Sequence, residues 1–99
     1  MKVITLDARR WTDIAAFYAD LLAALEAPEW HGTGLDALFD SMIGGDINGL
    51  EPPYRIEIDG ASSMPREVEA HVALVAWIMA SHTAWEAGQP AVSIVPKRR

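Results

Sequence analysis

The sequence predicts a small α/β protein in which a three-stranded parallel sheet is packed by three to four helices. Three short runs rich in β-branched residues, Lys2–Leu6, Tyr54–Ile58 and Ala91–Val95, are separated by segments with helical spacing. Strands separated by helices pair in parallel through right-handed crossovers. The 99 residues are expected to form one domain, residues 1–99, with the first strand in the centre of the sheet.

The first helix is predicted from an apolar stripe between Thr12 and Pro28. The members of this stripe recur every three or four residues and are expected to face the core: Ile14, Phe17, Tyr18, Leu21, Leu22 and Leu25. Thr12 is the expected N-cap, and Pro28 is the expected stop because proline cannot continue a helix.

The longest helix is predicted to begin at Ser63, ahead of Pro65, and to be closed by Gly88 and Pro90. One face of this helix is expected to pack in the core: Val68, Val72, Val75, Met79 and His82. We also expect three tryptophans, Trp11, Trp77 and Trp85, in the core or at its edge, and His71 in solvent.

A shorter helix, predicted from Leu35 to Ile43 and ended by Gly44 and Gly45, carries two carboxylates on one face. Its apolar residues Leu35, Leu38 and Met42 recur at helical spacing and are expected to face the core. Asp36 and Asp40 are four residues apart, so their Cβ atoms lie about 5–6 Å from each other and their charges repel. Asp36 gains about 0.3–1 kcal/mol from the helix N-terminus, whereas Asp40 lies beyond the first turn. A cationic partner would account for Asp40.

The charge distribution argues against nucleic acid as a partner. The net charge is −6, and between Asp13 and Asp59 ten acidic residues stand against one base, Arg55. Such acidity repels a phosphate backbone and suits a cationic protein. A solvated acidic surface kept for solubility has the same composition, so charge alone leaves both interpretations open.

The sequence predicts neither a cofactor, a metal nor a membrane partner. The three histidines lack the spacing of zinc ligands, and Asp46–Gly49 lacks the later ligands of a calcium loop. The longest apolar run, Val72–Ala80, is too short to span a bilayer. With no cysteine and no secretory signal at Met1–Asp7, we expect a soluble, cytoplasmic protein.

Acid–base catalysis by Asp36 and Asp40 is another function that such a pair suggests, since glycosidases use paired carboxylates. On a short surface helix both groups would stay ionised, and no nucleophile or glycine-rich phosphate loop accompanies them. We therefore do not expect an enzyme.

The segment Pro28–Ser41, which reads PEWHGTGLDALFDS, resembles the signature of the barstar family, small bacterial proteins that inhibit extracellular ribonucleases. That signature reads approximately P-x-aromatic-x-G-x-N-L-D-A-L-x-D. The positions that match it in order are Pro28, Glu29, Trp30, Gly32, Leu35, Asp36, Ala37, Leu38 and Asp40. Gly34 stands where the family usually has asparagine, Phe39 where tryptophan is frequent, and Ser41 where cysteine is frequent.

The resemblance implies an intracellular inhibitor, monomeric when free, that blocks the basic active site of an extracellular-type ribonuclease. Asp40 would be the central anchor, Asp36 its neighbour, and Trp30 an exposed aromatic that covers the cleft. Trp30 could instead fill a hydrophobic gap within the chain. Gly32 would allow close backbone approach, and the remaining implied contacts are Thr33, Gly34 and Phe39.

The best-known inhibitor of the family also contacts its partner through a glutamate on the last helix. At the corresponding place this chain has His82 and Thr83, with Glu86 one turn later. The alternative is therefore an immunity or regulatory module of the same fold that binds a different basic protein.

Overall fold

A computed structural model describes residues 2–28, 37–38, 49, 53–82, 85–86 and 89–97. The strands are β1 (Lys2–Asp7), β2 (Tyr54–Asp59), β3 (Trp85–Glu86), β4 (Gln89–Pro90) and β5 (Val92–Pro96), and the helices are α1 (Ile14–Ala24) and α2 (Arg66–His82). Short 3-10 turns follow β1 and β2 at Ala8–Arg10 and Ala61–Ser63. The predicted α/β class is confirmed, with two such helices in these residues rather than three to four.

The three predicted strands form a parallel sheet in the order β1-β2-β5. The parallel pairing is confirmed, but the prediction that the first strand lies in the centre is wrong. The central strand is β2, whose inward side chains Tyr54, Ile56 and Ile58 are all buried. In β1, one of the two edge strands, only Leu6 is buried.

A row of isoleucines crosses the inner face of the sheet. Ile4 pairs with Ile56, and Ile56 pairs with Ile94. The core built on this face also takes residues from both helices: Phe17, Tyr18, Leu21 and Leu25 from α1 and its end, and Val68, Val72, Val75 and Met79 from α2. The predicted core faces of α1 and α2 are confirmed at these positions.

The helix α1 begins one residue later than predicted. Asp13, not Thr12, is the N-cap, and its Oδ1 accepts a hydrogen bond of 2.9 Å from the backbone N–H of Ala16. Both residue types cap helices well, and the sequence alone does not separate neighbouring candidates.

The helix α2 ends at His82, and the prediction that it continues to Gly88 is wrong. The short strands β3 and β4 follow it and pair antiparallel, with Trp85 opposite Pro90 and Glu86 opposite Gln89. Gly88 itself lies outside the described residues, and glycine is favoured both after a helix and between two strands, so the sequence did not separate the two structures.

The tryptophans differ in their environments. Trp11 is 2% exposed and packs edge-on against Phe17, with ring centroids 5.2 Å apart. Trp77 is 65% exposed, so its predicted place in or at the core is wrong. The side chains of Trp85 and His82 lie outside the described residues. His71 is half-buried against α1 rather than exposed as predicted.

Candidate functional site

The seven residues that the sequence assigns to partner binding lie outside the described residues: Trp30, Gly32, Thr33, Gly34, Asp36, Phe39 and Asp40. Of the helix predicted from Leu35 to Ile43, the structure describes Ala37 and Leu38, and both are helical. The helix is therefore confirmed at these two positions, and the assignment of the seven residues stays a prediction.

Leu38 attaches the predicted acidic helix to the core. Its side chain is fully buried and belongs to the same core cluster as Phe17 of α1 and Val68 of α2. The predicted inward direction of Leu38 is confirmed. Burial of a leucine stabilises a fold by about 1.5–3 kcal/mol, so the burial of Leu38 holds this helical turn on the core.

The chain is held together at the two ends of the segment that contains the motif. The backbone N–H of Gly49 donates a hydrogen bond of 3.0 Å to the carbonyl oxygen of Glu26. The residues that precede and follow the segment 27–48 therefore meet at this hydrogen bond. A Cβ atom on Gly49 would lie 2.8 Å from the Cβ atom of Glu26, so this approach requires glycine.

Glu26 itself has a left-handed backbone, with a φ of 55°. Its N–H donates to the carbonyl of Ala23, and the N–H of Ala27 donates to the carbonyl of Leu22. These two bonds form a Schellman motif that ends α1, ahead of the stop predicted at Pro28. A left-handed residue other than glycine costs about 1–2 kcal/mol, so the chain enters the motif through a strained residue.

The sequence did not reveal the contact between Glu26 and Gly49. Glutamate carries no signal for a left-handed conformation, and nothing in the segment Asp46–Gly49 indicates which residue Gly49 approaches. The contact joins residues far apart in the sequence, and such approaches depend on packing rather than on local pattern.

Several acids of the acidic segment have partners within the chain. Asp20 accepts a hydrogen bond of 2.6 Å from Nε1 of Trp11, and Asp13 caps α1. Arg55 lies 3.2 Å from a carboxylate oxygen of Glu57. Some of the acidic residues between Asp13 and Asp59 therefore bind groups within the chain. Asp20 is one of these structural residues and not a peripheral charge.

Arg9 links the carboxyl ends of β1 and β2. Its Nε lies 2.9 Å from Asp7, and its Nη2 lies 3.0 Å from Asp59, the residue paired with Asp7 in the sheet. The backbone N–H and then the guanidinium of Arg9 donate to Asp7 and hold the pKa of that carboxyl below its usual value. The hydrogen bond with Asp7 in turn raises the pKa of Arg9. The guanidinium offsets the repulsion between the two adjacent carboxylates.

The last helix offers a partner no acid beyond its first turns. From Ala70 to His82, α2 contains no Asp, Glu, Lys or Arg. Glu86, which the sequence placed one turn further along that helix, lies in β3. The predicted position of Glu86 on the last helix is therefore wrong.

No group of three or more potential metal ligands occurs among the residues that the structure describes. Within the same residues, no helix is long and apolar enough to cross a membrane.

A known protein family matches nearly the whole chain, including the motif at Pro28–Ser41. The family described as Barstar (barnase inhibitor) matches residues 1–95. The chain belongs to the barstar family. A search of curated proteins gives no match. The family match agrees with the three-stranded parallel sheet and with the motif at Pro28–Ser41. Proteins of the barstar family are inhibitors and not enzymes.

Proposed function

We propose that this barstar-family protein is an intracellular inhibitor that blocks the basic active site of a ribonuclease with the segment Pro28–Ser41. The observation that carries the proposal is the family match over residues 1–95, which includes the acidic motif. A ribonuclease binds RNA phosphates with basic side chains. Carboxylates held in place of those phosphates form charge-assisted hydrogen bonds with the same side chains.

The burial of Leu38 supports the orientation that this function needs. In an α-helix each residue is turned by about 100° from the one before, so positions two before and two after a residue lie about 160° away from it. Asp36 and Asp40 are these two positions. A continuous helix through the buried Leu38 would turn both carboxylates away from the core and toward a partner.

The roles proposed for the motif residues are those that the resemblance to the barstar family implies. Asp40 is the central anchor, Asp36 is its neighbour, and Trp30 covers the cleft of the enzyme. Gly32 allows close backbone approach, while Thr33, Gly34 and Phe39 border the contact. The contact between Glu26 and Gly49 holds the base of this segment.

We further propose that the protein acts in the cytoplasm and protects the producing cell from an extracellular-type ribonuclease before that enzyme is secreted. The acidic net charge of −6 supports rapid encounter with a basic enzyme, because opposite charges steer association.

A second candidate is an immunity or regulatory module for a different basic protein. The observation that favours it is the composition of α2, which has no acid after Glu69, together with the position of Glu86 in β3. A partner that requires a carboxylate from the last helix would therefore find none on this stretch of α2.

The test is a titration of a small basic ribonuclease of the barnase type with the purified protein. We expect RNA cleavage to fall to zero near a one-to-one ratio and the protein alone to cleave neither RNA nor glycosides. The variant with both Asp36→Asn and Asp40→Asn should keep its circular dichroism spectrum and lose inhibition. Capture of another basic protein from the native host, with no effect on the ribonuclease, would favour the second candidate. Turnover that these substitutions abolish would favour an enzyme.

A further inference from the structure

The outer side of α2 has the composition of a buried surface. Its exposed positions between Ala70 and Ser81 form one stripe along the helix, named here the α2 stripe: Ala70, Ala73, Leu74, Trp77 and Ser81. Leu74 is 43% exposed and Trp77 65% exposed. The solvent side of a surface helix normally carries charges, and a helix that is apolar all round is normally covered.

We propose that the α2 stripe is the interface of a weak homodimer in which two copies of α2 pack antiparallel across a two-fold axis. This proposal does not rest on the proposed ribonuclease inhibition. The α2 stripe carries no charge that would attract a basic enzyme, so we assign it to contact with a second copy of the chain.

The order of large and small residues makes the stripe complementary to itself. With the two-fold axis between Ala73 and Leu74, Trp77 of one copy lies opposite Ala70 of the other, and Leu74 lies opposite Ala73. Large residues opposite small ones let two helices interdigitate without voids. An isologous contact of this kind closes on itself and gives a dimer rather than a fibre.

The absence of charge also favours a second copy as the occupant. Each chain carries a net charge of −6, so two copies repel each other over most of their surfaces. The α2 stripe itself has no charged residue, and in this register the exposed Arg66 of one copy lies opposite the uncharged Ser81 of the other, so no like charges are desolvated against one another. Salt screens the remaining long-range repulsion, so dimerisation should strengthen as salt rises.

The size of the stripe limits the affinity. A stable interface buries about 800 Å² on each partner, and Trp77 as the largest residue contributes on the order of 150 Å². Beside the stripe, Ala73 also lines a mostly apolar groove of about 430 Å³ together with Val95, Pro96 and the charged Glu69. We therefore expect a transient dimer, with the monomer expected from the family resemblance prevailing in dilute solution.

Sedimentation equilibrium of the full chain, from about 1 µM to 1 mM, tests the proposal at low and high salt. We expect a monomer–dimer equilibrium that shifts toward the dimer in high salt. Trp77→Gln should weaken dimerisation at least about tenfold. The matched control is Val3→Gln, since Val3 is also apolar and 46% exposed but lies on β1. This control should dimerise like the original protein.

Three outcomes would overturn the proposal. These are a monomer at every concentration, a dimer that Val3→Gln weakens and Trp77→Gln does not, and a dimer that dissociates in high salt. Trp77→Gln should also inhibit the ribonuclease as the original protein does. Loss of inhibition in that variant would assign the stripe to the enzyme instead. Intact dimerisation without any inhibition would leave this proposal standing and remove the proposed function.

Discussion

The hydroxyl of Tyr18 lies 2.8 Å from Nε2 of His71 and joins α1 to α2. The two rings are tilted with centroids 5.4 Å apart, and Phe17 meets His71 edge-on at 6.2 Å. Burial raises the pKa of Tyr18, so the phenol keeps its proton and donates to Nε2 when the neutral imidazole carries its hydrogen on Nδ1. This polar contact lies at the edge of an otherwise apolar helix interface.

Replacement of this hydroxyl should destabilise the fold modestly. Tyr18→Phe removes one half-buried hydrogen bond and keeps the ring, so we expect a loss of about 1 kcal/mol in the free energy of unfolding. Urea denaturation at neutral pH measures it. In a double-mutant cycle with His71→Ala, the effect of Tyr18→Phe should vanish once His71 is absent. An unchanged effect in that background would show that the hydroxyl acts through another group.

The same residue should make the fold sensitive to alkali. The pKa of Tyr18 in the folded state is raised above its ordinary value of about 10. Below about pH 10, Tyr18 therefore makes its full contribution to the stability of the fold. This contribution is lost as the pH rises through the folded pKa. The stability advantage of the original protein over Tyr18→Phe should therefore shrink above about pH 10. A constant difference across that range would contradict the assignment.

The hydrogen bond between Trp11 and Asp20 gives a third prediction. Trp11 is buried, so Asp20→Ala leaves its Nε1–H without an acceptor and should cost about 1–3 kcal/mol. Asp20→Asn removes the same charge but keeps an acceptor oxygen, so its loss should be clearly smaller. Both are measured by urea denaturation with tryptophan fluorescence. Equal losses in the two variants would mean that the charge matters and the hydrogen bond does not.

Some of these features could be predicted from the sequence, and others could not, for physical reasons. The core face of α2 followed from the spacing of Val68, Val72, Val75 and Met79, because helical periodicity is local. The strand order depends on pairing between segments far apart in the sequence, so the central position of β2 left no local pattern. The exposure of Trp77 and the left-handed backbone of Glu26 contradict residue preference, and only the packed structure shows them.

The candidate site divides in the same way. The motif predicted a helical turn and an inward Leu38, and both are confirmed. The roles of Asp36, Asp40 and Trp30 remain predictions that binding experiments decide. Hydrogen bonds between side chains of different elements, such as that from Trp11 to Asp20, could not be predicted from the sequence.

The contact between Glu26 and Gly49 should affect binding as well as stability. Gly49→Ala places a methyl group 2.8 Å from the Cβ atom of Glu26, and such overpacking typically costs about 1–3 kcal/mol. If this contact positions the motif, the variant should also inhibit the ribonuclease less well at a temperature where it is fully folded. Inhibition constants and melting temperatures are measured together.

Gly60→Ala is the matched control for that experiment. Gly60 has a φ of 69°, and a Cβ atom there would lie 2.8 Å from Cγ of Arg9. The left-handed strain of alanine costs about 1–2 kcal/mol, so the fold should be destabilised to a similar extent while inhibition is unchanged. Equal effects of the two variants on inhibition would show that Gly49 acts through stability alone.

The last prediction concerns Asp40, whose proposed role is in binding and not in folding. Asp40→Ala should change the melting temperature little, because Asp40 lies beyond the first turn of its predicted helix and gains little from the helix dipole. It should weaken binding to the ribonuclease by about 2 kcal/mol or more, since basic groups of the enzyme would be left desolvated and unpaired.

Glu67 is the peripheral acid with which Asp40 is compared, because Asp20 holds Trp11 and would confound the result. Glu67 is exposed in the first turn of α2, so Glu67→Gln should mainly slow association, and that effect should shrink as salt rises. Asp40→Ala should instead speed dissociation at both salt concentrations. Thermal melting and binding kinetics at two ionic strengths separate these effects. If Asp40→Ala lowers the melting temperature and leaves affinity intact, the carboxylate is structural and the proposed site is wrong.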